Sequence, residues 1–329
     1  MSAIPTCSLV IPVFNEEEVL PELYRRVTQV MAAAETSYEL VLIDDGSSDK
    51  TWEIMQRLRA SDERVSLVRL SRNFGHQIAL TAGLEHARGE TVVVLDADLQ
   101  DPPELIPRML ELWREGHDVV YGVRTRREGE GIFKRSTAAV FYRLIGRLTS
   151  VHIPADTGDF RLMSRPVVEA LKRVRERNRF VRGLVAWVGF RQVGLPYERA
   201  HRAAGETKYP FSKMLRFAVD AIISFSILPL RLATGFGFLV SFFSFAYAAH
   251  AVYLKVVTGE SLPGWASLMV GIAFLGGVQL LCLGIVGEYL GRIYDEVKAR
   301  PLYLLQDFQS GPMAKEAARG APADRTTAA

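Results

Sequence analysis

Thr91-Val92-Val93-Val94-Leu95 runs directly into Asp96-Ala97-Asp98-Leu99-Gln100-Asp101-Pro102-Pro103-Glu104. A short apolar run closed by polar residues reads as a buried strand. Its two carboxylates, one residue apart, then emerge at the rim of a sheet. Oxygen ligands so placed suit Mg²⁺ or Mn²⁺, which bind a few carboxylates together with the phosphates of a substrate. A bare Asp-x-Asp is equally the makings of a solvated acidic turn. The extension through Glu104, and the polar motifs at other strand ends, favour a metal–diphosphate site.

Similar short runs occur at Ser8–Val13, Glu39–Ile43, Val65–Leu70 and Asp118–Gly122. Helical patterns fill Glu17–Ala34, Lys50–Ala60, Gln77–Ala87 and Pro103–Glu115, and Pro103 and Glu104 suit a first helical turn. The alternation predicts an α/β domain with a mainly parallel sheet and helices on both faces. Ligands of such sheets bind beyond the carboxyl ends of the strands, where the strand order reverses. The polar motifs gather there: Asn15-Glu16-Glu17, Asp44-Asp45-Gly46-Ser47 and Asp96-Ala97-Asp98. A nicotinamide-binding domain would need glycines in the first strand–helix turn. This chain has Pro12-Val13-Phe14-Asn15-Glu16 there, so a pyrophosphate would be held through a metal. Asn15 has a second reading as a helix cap.

Among 329 residues, 40 basic and 37 acidic side chains leave a net charge of +3, too balanced to argue for nucleic acid. Cys7 and Cys282 lie far apart in apolar surroundings, which predicts buried thiols rather than zinc or a disulfide framework. No basic segment precedes an apolar core at the N-terminus, so a signal peptide is not expected.

Leu232–Leu254 and Ala266–Gly287 contain no Asp, Glu, Lys or Arg. At 1.5 Å per residue each spans roughly 33–35 Å, which matches the ~30 Å hydrocarbon core of a bilayer. Lys208, Lys213, Arg216 and Arg231 precede the first span, and Arg292, Lys298 and Arg300 follow the second. The loop Thr258–Gly264 has no basic residue. Basic flanks stay in the cytoplasm, so the spans form a hairpin with both large ends cytoplasmic at the inner membrane. The expected organisation is a domain over 1–210, an amphipathic helix within 211–230, the hairpin over 231–290 and a C-terminal segment over 291–329. In Phe211–Ser226, Lys213, Arg216, Asp220 and Ser224 oppose Met214, Leu215, Ala218, Ile222 and Phe225. That helix either lies on the inner leaflet or packs on the soluble domain. From about Ser310 the composition reads as disordered.

The runs Val10 to Glu17, Leu42 to Thr51 and Asp96 to Glu104 resemble glycosyltransferase family 2. Thr157 to Met163, Arg179 to Gly183, Arg202 to Tyr209 and the ending Gly287 to Glu296 are similar to its polyprenyl-phosphate glycosyltransferase branch. The resemblance covers residues 5 to about 305. It implies a GT-A fold and inverting transfer of one sugar from a nucleotide-diphosphate donor to polyprenyl phosphate. The hairpin looks like that of glucosyl-type members, which implies a UDP-linked donor. GDP-mannose, another lipid acceptor, and a non-catalytic membrane scaffold are the alternatives. Tetramers occur in the branch, so a homo-oligomer is a further implication.

The resemblance also assigns roles. Asp98 and Gln100 become metal ligands, and Asp96 faces the ribose or the metal. Asp45 accepts from the base, Asp44 does the same or orients its loop, and Pro12, Asn15 and Glu16 line the nucleotide pocket. Asp159 stands where the branch has its catalytic base. A phosphate monoester has its second pKa near about 6, so an anionic acceptor scarcely needs a base; orienting the acceptor or stabilising positive charge on the sugar are the other roles. Arg124, Lys134 and Arg135 are candidates for the acceptor phosphate, since arginine makes bidentate contacts. Arg202 and Lys208 flank Gly205-Glu206 in a loop expected to close over the diphosphate.

Overall fold

The computed structural model describes residues 4–125, 157–174, 176–177, 179–198, 228–258 and 264–310. The chain divides into two units. One, made of Met1–Tyr142, Val151–Lys208 and Pro301–Ala329, contains every strand among the described residues. The other contains two long helices.

In the first unit the order is β1 (Cys7–Val13), α1 (Leu20–Ala33), β2 (Tyr38–Asp44), α2 (Thr51–Ser61), β3 (Val65–Leu70), α3 (His76–His86) and β4 (Thr91–Val94). A 3₁₀ turn at Pro103–Leu105, α4 (Ile106–Arg114) and β5 (Val119–Arg124) follow. Then come β6 (Thr157–Ser164), α5 (Arg165–Arg173), α6 (Val181–Trp187) and β7 (Gln192–Tyr197). After the two long helices the chain returns as β8 (Leu305–Gln309).

The strands form one eight-stranded sheet in the order β7-β5-β6-β4-β1-β2-β3-β8. β1 runs parallel to β2 and β4, β2 to β3, and β5 to β7. β6 is antiparallel to β4 and β5, and β8 to β3. β1 and β2 are buried at every position, as strands covered on both faces must be. The strand order reverses around β1, so the crevice between the ends of β1 and β4 is the expected ligand position.

Two helices start later than their periodicity suggests. Pro21 and Pro107 have no N–H to donate to residues 17 and 103, so regular α-helix begins at Leu20 and at Ile106. Leu20, Leu23, Val27 and Met31 form the buried stripe of α1, and Ile106, Met109, Leu110 and Leu112 that of α4. Asn15 does not cap α1, whose N-cap is Val19. Cys7 is buried, its thiol pushed up to about 12 by desolvation, and both cysteines are free.

β8 is held by more than its ladder with β3. The Ser71 N–H donates to Leu304 O at 2.9 Å, and Arg59 Nη2 to Ser310 O at 2.9 Å. The Tyr303 hydroxyl donates to Glu85 Oε2 at 2.5 Å, and the Phe308 and His86 ring centroids lie 4.7 Å apart. The residues that close the sheet therefore seat on the C-terminal end of α3.

Among the described residues, the second unit holds α7 (Leu228–Thr258) and α8 (Trp265–Val297). Both expected spans fall inside them. Pro229–His250 and Val270–Val297 are long and apolar enough to cross a membrane. Phe236, Phe238, Phe242, Phe243 and Phe245 of α7 are exposed, as are Leu280, Leu281 and Leu283 of α8. The amphipathic segment Phe211–Ser226, the loop with Arg202 and Lys208, Lys134, Arg135 and the tail beyond residue 310 lie outside the described residues.

Candidate active site

The first two strand–helix turns are stitched together. The Asn15 N–H donates to Ser47 Oγ at 3.1 Å, and Asn15 Oδ1 accepts from the Ser48 N–H at 2.8 Å. The Glu16 N–H donates to Thr51 Oγ1 at 2.9 Å. Asn15 takes the left-handed backbone (φ 55°), a conformation asparagine tolerates. Pro12 is buried in β1 just below this turn.

Asp44 ends β2, Asp45 follows it, and both are buried. Asp44 Oδ1 accepts the Ser47 N–H at 2.9 Å, and its Oδ2 lies 3.2 Å from Arg69 Nε. The Asp45 oxygens accept the N–H groups of Phe74 and Gly75 at 2.7 and 2.9 Å. Burial raises the pKa of Asp45 despite those two bonds. Asp45 thereby anchors the β3–α3 loop beside the β2 turn.

That loop leads into α3, whose first two residues were not singled out in the sequence. His76 Nε2 lies 3.5 Å from Asp96 Oδ1 and 3.3 Å from Asp159 Oδ2. Gln77 Nε2 donates to Asp159 Oδ2 at 3.3 Å, while its Oε1 accepts the Val181 N–H at 2.9 Å. Arg182, on α6, completes the cluster: Nε and Nη2 donate to Asp159 Oδ1 and Oδ2 at 2.8 and 3.0 Å, and Nη1 to Thr157 O at 3.1 Å. Three side chains from two helices, α3 and α6, thus converge on one buried carboxylate. Burial would raise its pKa, but the hydrogen bonds from His76 and Arg182 and the guanidinium charge outweigh it and hold Asp159 well below the usual carboxylate range.

Below it, Arg161 is buried and donates to the carbonyls of Gly158 and Asp159. It fixes the backbone that carries Asp159, and desolvation lowers its own pKa to about 10.

Asp96 behaves oppositely. Desolvation, against the pull of His76 and reinforced by Asp159, pushes its carboxyl up to about 6. Its Oδ1 has no hydrogen-bond partner. Beyond it, Leu99 is in the left-handed region (φ 58°), and the Gln100 N–H donates to Asp98 Oδ1 at 3.2 Å. A half-buried carboxylate with an orphaned oxygen, next to further oxygen donors, fits a hard divalent cation. The ligand atoms of His76, Asp96 and Asp159 also lie within 4.8 Å of one another. Both Asp159 oxygens are already engaged by Arg182, however, so Asp96, Asp98 and Gln100 are the better donor set.

At the outer side of the cluster sits Arg124, the last residue of β5. Its Nε donates to the Tyr197 hydroxyl at 3.3 Å, and Nη2 lies 3.9 Å from Asp101 Oδ1. Of the residues named from sequence, Asp96 and Asp159 are brought together through His76. Asp98 and Gln100 share one turn, and Arg124 stands over the residue preceding Asp159. Arg182 and Asp101 lie in runs quoted from the sequence without a role of their own, whereas His76, Gln77 and Tyr197 were not singled out. His76 and Gln77 follow a polar run at the end of β3, and such strand ends carry the ligands.

Residues 8–172 match the family model described as Glycosyl transferase family 2. An uncharacterized glycosyltransferase of Bacillus subtilis (strain 168) is 53% identical over 91% of this chain and 93% of its own. A bactoprenol glucosyl transferase of Shigella phage SfII is 45% identical over 92% of this chain and 98% of its own. The crystal structure of glucosyl-3-phosphoglycerate synthase from Mycobacterium tuberculosis, with Mn²⁺, UDP-glucose and phosphoglyceric acid, aligns with a TM-score of 0.43 at 24% identity, over 67% of this chain and 78% of that one.

Proposed function

The chain belongs to glycosyltransferase family 2 and is a glycosyltransferase, and from that premise we propose that it transfers a single glucose from UDP-glucose to polyprenyl phosphate, with inversion at the anomeric carbon. The observation that carries the reading is the Asp159 cluster, a fixed anion facing the strand ends where Asp96, Asp98 and Gln100 emerge. The name of the phage relative, matched along nearly its whole length, supports the glucosyl donor and the polyprenyl acceptor.

In this reading an oxygen of the acceptor phosphate attacks the anomeric carbon. The bond from that carbon to the diphosphate breaks, and its electron pair leaves with UDP. Mg²⁺ or Mn²⁺ held by Asp98 and Gln100, with Asp96, would neutralise the charge that develops on the diphosphate. Arg202 and Lys208 would close over the same group. Arg124, with Lys134 and Arg135, would hold the acceptor phosphate, which is already mostly dianionic at pH 7 because its second pKa is about 6.

Asp159 is then no proton acceptor. A carboxylate held so far below its ordinary range is a very weak base. Its permanent negative charge stabilises positive charge on the sugar ring as the leaving group departs. Asn15, Glu16, Asp44 and Asp45 frame the nucleotide pocket, with Asp45 positioning the β3–α3 loop. α7 and α8 would cross the inner membrane as a hairpin with the catalytic unit in the cytoplasm, so that the lipid tail stays in the bilayer.

The test is a product assay on detergent-purified protein with polyprenyl phosphate, a panel of UDP- and GDP-sugars, and Mn²⁺, Mg²⁺ or EDTA. Mass spectrometry should show glucosyl polyprenyl phosphate from UDP-glucose, and only with metal. Product from another donor alone would replace the sugar. No glycolipid at all from folded protein would refute the acceptor.

A further inference from the structure

A second buried carboxylate lies beside the Asp159 cluster, and the proposed reaction leaves it without a role. Asp101 is fully buried at the end of the Asp96–Asp101 loop. A charge in such a place must be compensated, and here a phenol contributes. The Tyr197 hydroxyl donates to Asp101 Oδ1 and accepts from Arg124 Nε. Burial, then the charge and hydrogen bond of Asp101, raise the tyrosine pKa to about 12, so the phenol is neutral and keeps its proton.

The backbone prepares this chain of contacts. Arg124 and Tyr197 are register partners in the parallel β5–β7 ladder. The Tyr197 ring packs edge-on against Phe160, at 5.9 Å between centroids, and lies where a Cβ on Gly122 would stand 2.7 Å from its Cε1. The Arg124 guanidinium lies over Gly158, where a Cβ would come within 2.5 Å of Nη2. Arg124 is therefore set immediately beside Asp159 by a hydroxyl on one edge and a missing methyl beneath.

We infer that Tyr197 and Asp101 are positioning residues that aim Arg124 at the phosphate of the lipid acceptor. The inference deepens the function proposed above and rests on its assignment of Arg124 to that phosphate. A purely structural Arg–Asp pair would close into a two-toothed salt bridge. Here Nη2 stays 3.9 Å from the carboxylate and the hydrogen bond goes to the phenol. The Nε edge is fixed, and the outer edge of the guanidinium is what a phosphate would meet. Because Asp101 shares its loop with Asp98 and Gln100, the same residues tie the acceptor arginine to the donor side.

The experiment is steady-state kinetics on the full chain with UDP-glucose and a short-chain polyprenyl phosphate, for wild type, Tyr197→Phe, Arg124→Ala and the double variant. Tyr197→Phe removes one oxygen and keeps the ring that packs on Phe160. It should raise KM for polyprenyl phosphate about tenfold, the scale of a lost hydrogen bond to a charged group, with KM for UDP-glucose unchanged. Arg124→Ala should raise it further, and the double variant should be no worse than Arg124→Ala alone. An unchanged acceptor KM in Tyr197→Phe, with a raised one in Arg124→Ala, overturns the positioning role and leaves the acceptor assignment standing. Additive losses overturn it as well. An unchanged acceptor KM in Arg124→Ala, or no turnover of UDP-glucose by wild type, removes the underlying assignment and this inference with it.

Discussion

Arg182 grips both oxygens of Asp159, with Nε 2.8 Å from Oδ1 and Nη2 3.0 Å from Oδ2. The pair joins α6 to β6 and turns a buried carboxylate into a fixed charge. Arg182→Ala should lower kcat by about a hundredfold or more, the range of a lost preorganised electrostatic contact. It should also cost roughly 3–5 kcal/mol of stability, because a buried charge loses its partner. Arg182→Lys keeps the charge without the planar fork and should recover part of the turnover. Equal kcat in wild type and Arg182→Ala would contradict the role given to Asp159.

The two carboxyls beside His76 shift in opposite directions, so pH acts on them with opposite sign. Asp159 lies well below the unfolded value of about 3.9. Its contribution to stability is complete above that value and disappears only as pH falls through the lower folded pKa. Asp96 is raised to about 6, so its folded form keeps a proton that the unfolded chain has released. Stability is lost there as pH rises from about 4 through about 6. Asp96→Asn should therefore raise the thermal midpoint above about pH 6 and change little near pH 4. Asp159→Asn should lower the midpoint throughout pH 5–8. Melting curves in detergent at a series of pH values check both.

Metal binding can be read without turnover. Mn²⁺ titrated into the purified protein and followed by its EPR signal should bind wild type more tightly than Asp98→Ala or Gln100→Ala. The loss should exceed about tenfold, the scale set even by an outer-shell partner. Unaltered Mn²⁺ affinity in both variants would move the cation elsewhere.

Gln77 serves two elements with one amide, accepting from the Val181 N–H and donating to Asp159. Gln77→Ala should lower kcat about tenfold and leave KM for the sugar donor unchanged, the signature of a contact that matters in the transition state. A raised donor KM at constant kcat would make it a ground-state contact.

Much of the sheet was legible because β1 to β4 are dominated by short apolar runs. Val65–Leu70 was read with its observed bounds, and β1, β2 and β4 within one residue at either end. β6 escaped for the opposite reason. Every one of its eight positions is buried, yet it contains Thr157, Asp159, Arg161 and Ser164. Hydropathy marks these residues as loop, whereas the fold hides them by pairing the charge on Asp159 and using Arg161 on the backbone. His76 went unnamed, and Arg182 was quoted in a run without a role, on the same account. Their meaning lies in a carboxylate that is 83 and 23 residues away in sequence (159 − 76 and 182 − 159). β8 has only two apolar residues, and without β3 to pair with it is indistinguishable from a polar tail.

β8 also sets an order of events during synthesis. Its partner β3 leaves the ribosome early, whereas β8 emerges only after α7 and α8 have been made. Until then the nascent sheet presents the bare edge of β3, a template for pairing with other chains. Closing that edge brings together residues such as Val68 and Phe308, among the longest sequence separations in the molecule, and such contacts form slowly. A chain interrupted within either long helix would therefore never cap its sheet, which makes it a natural substrate for the proteases that remove unfinished protein.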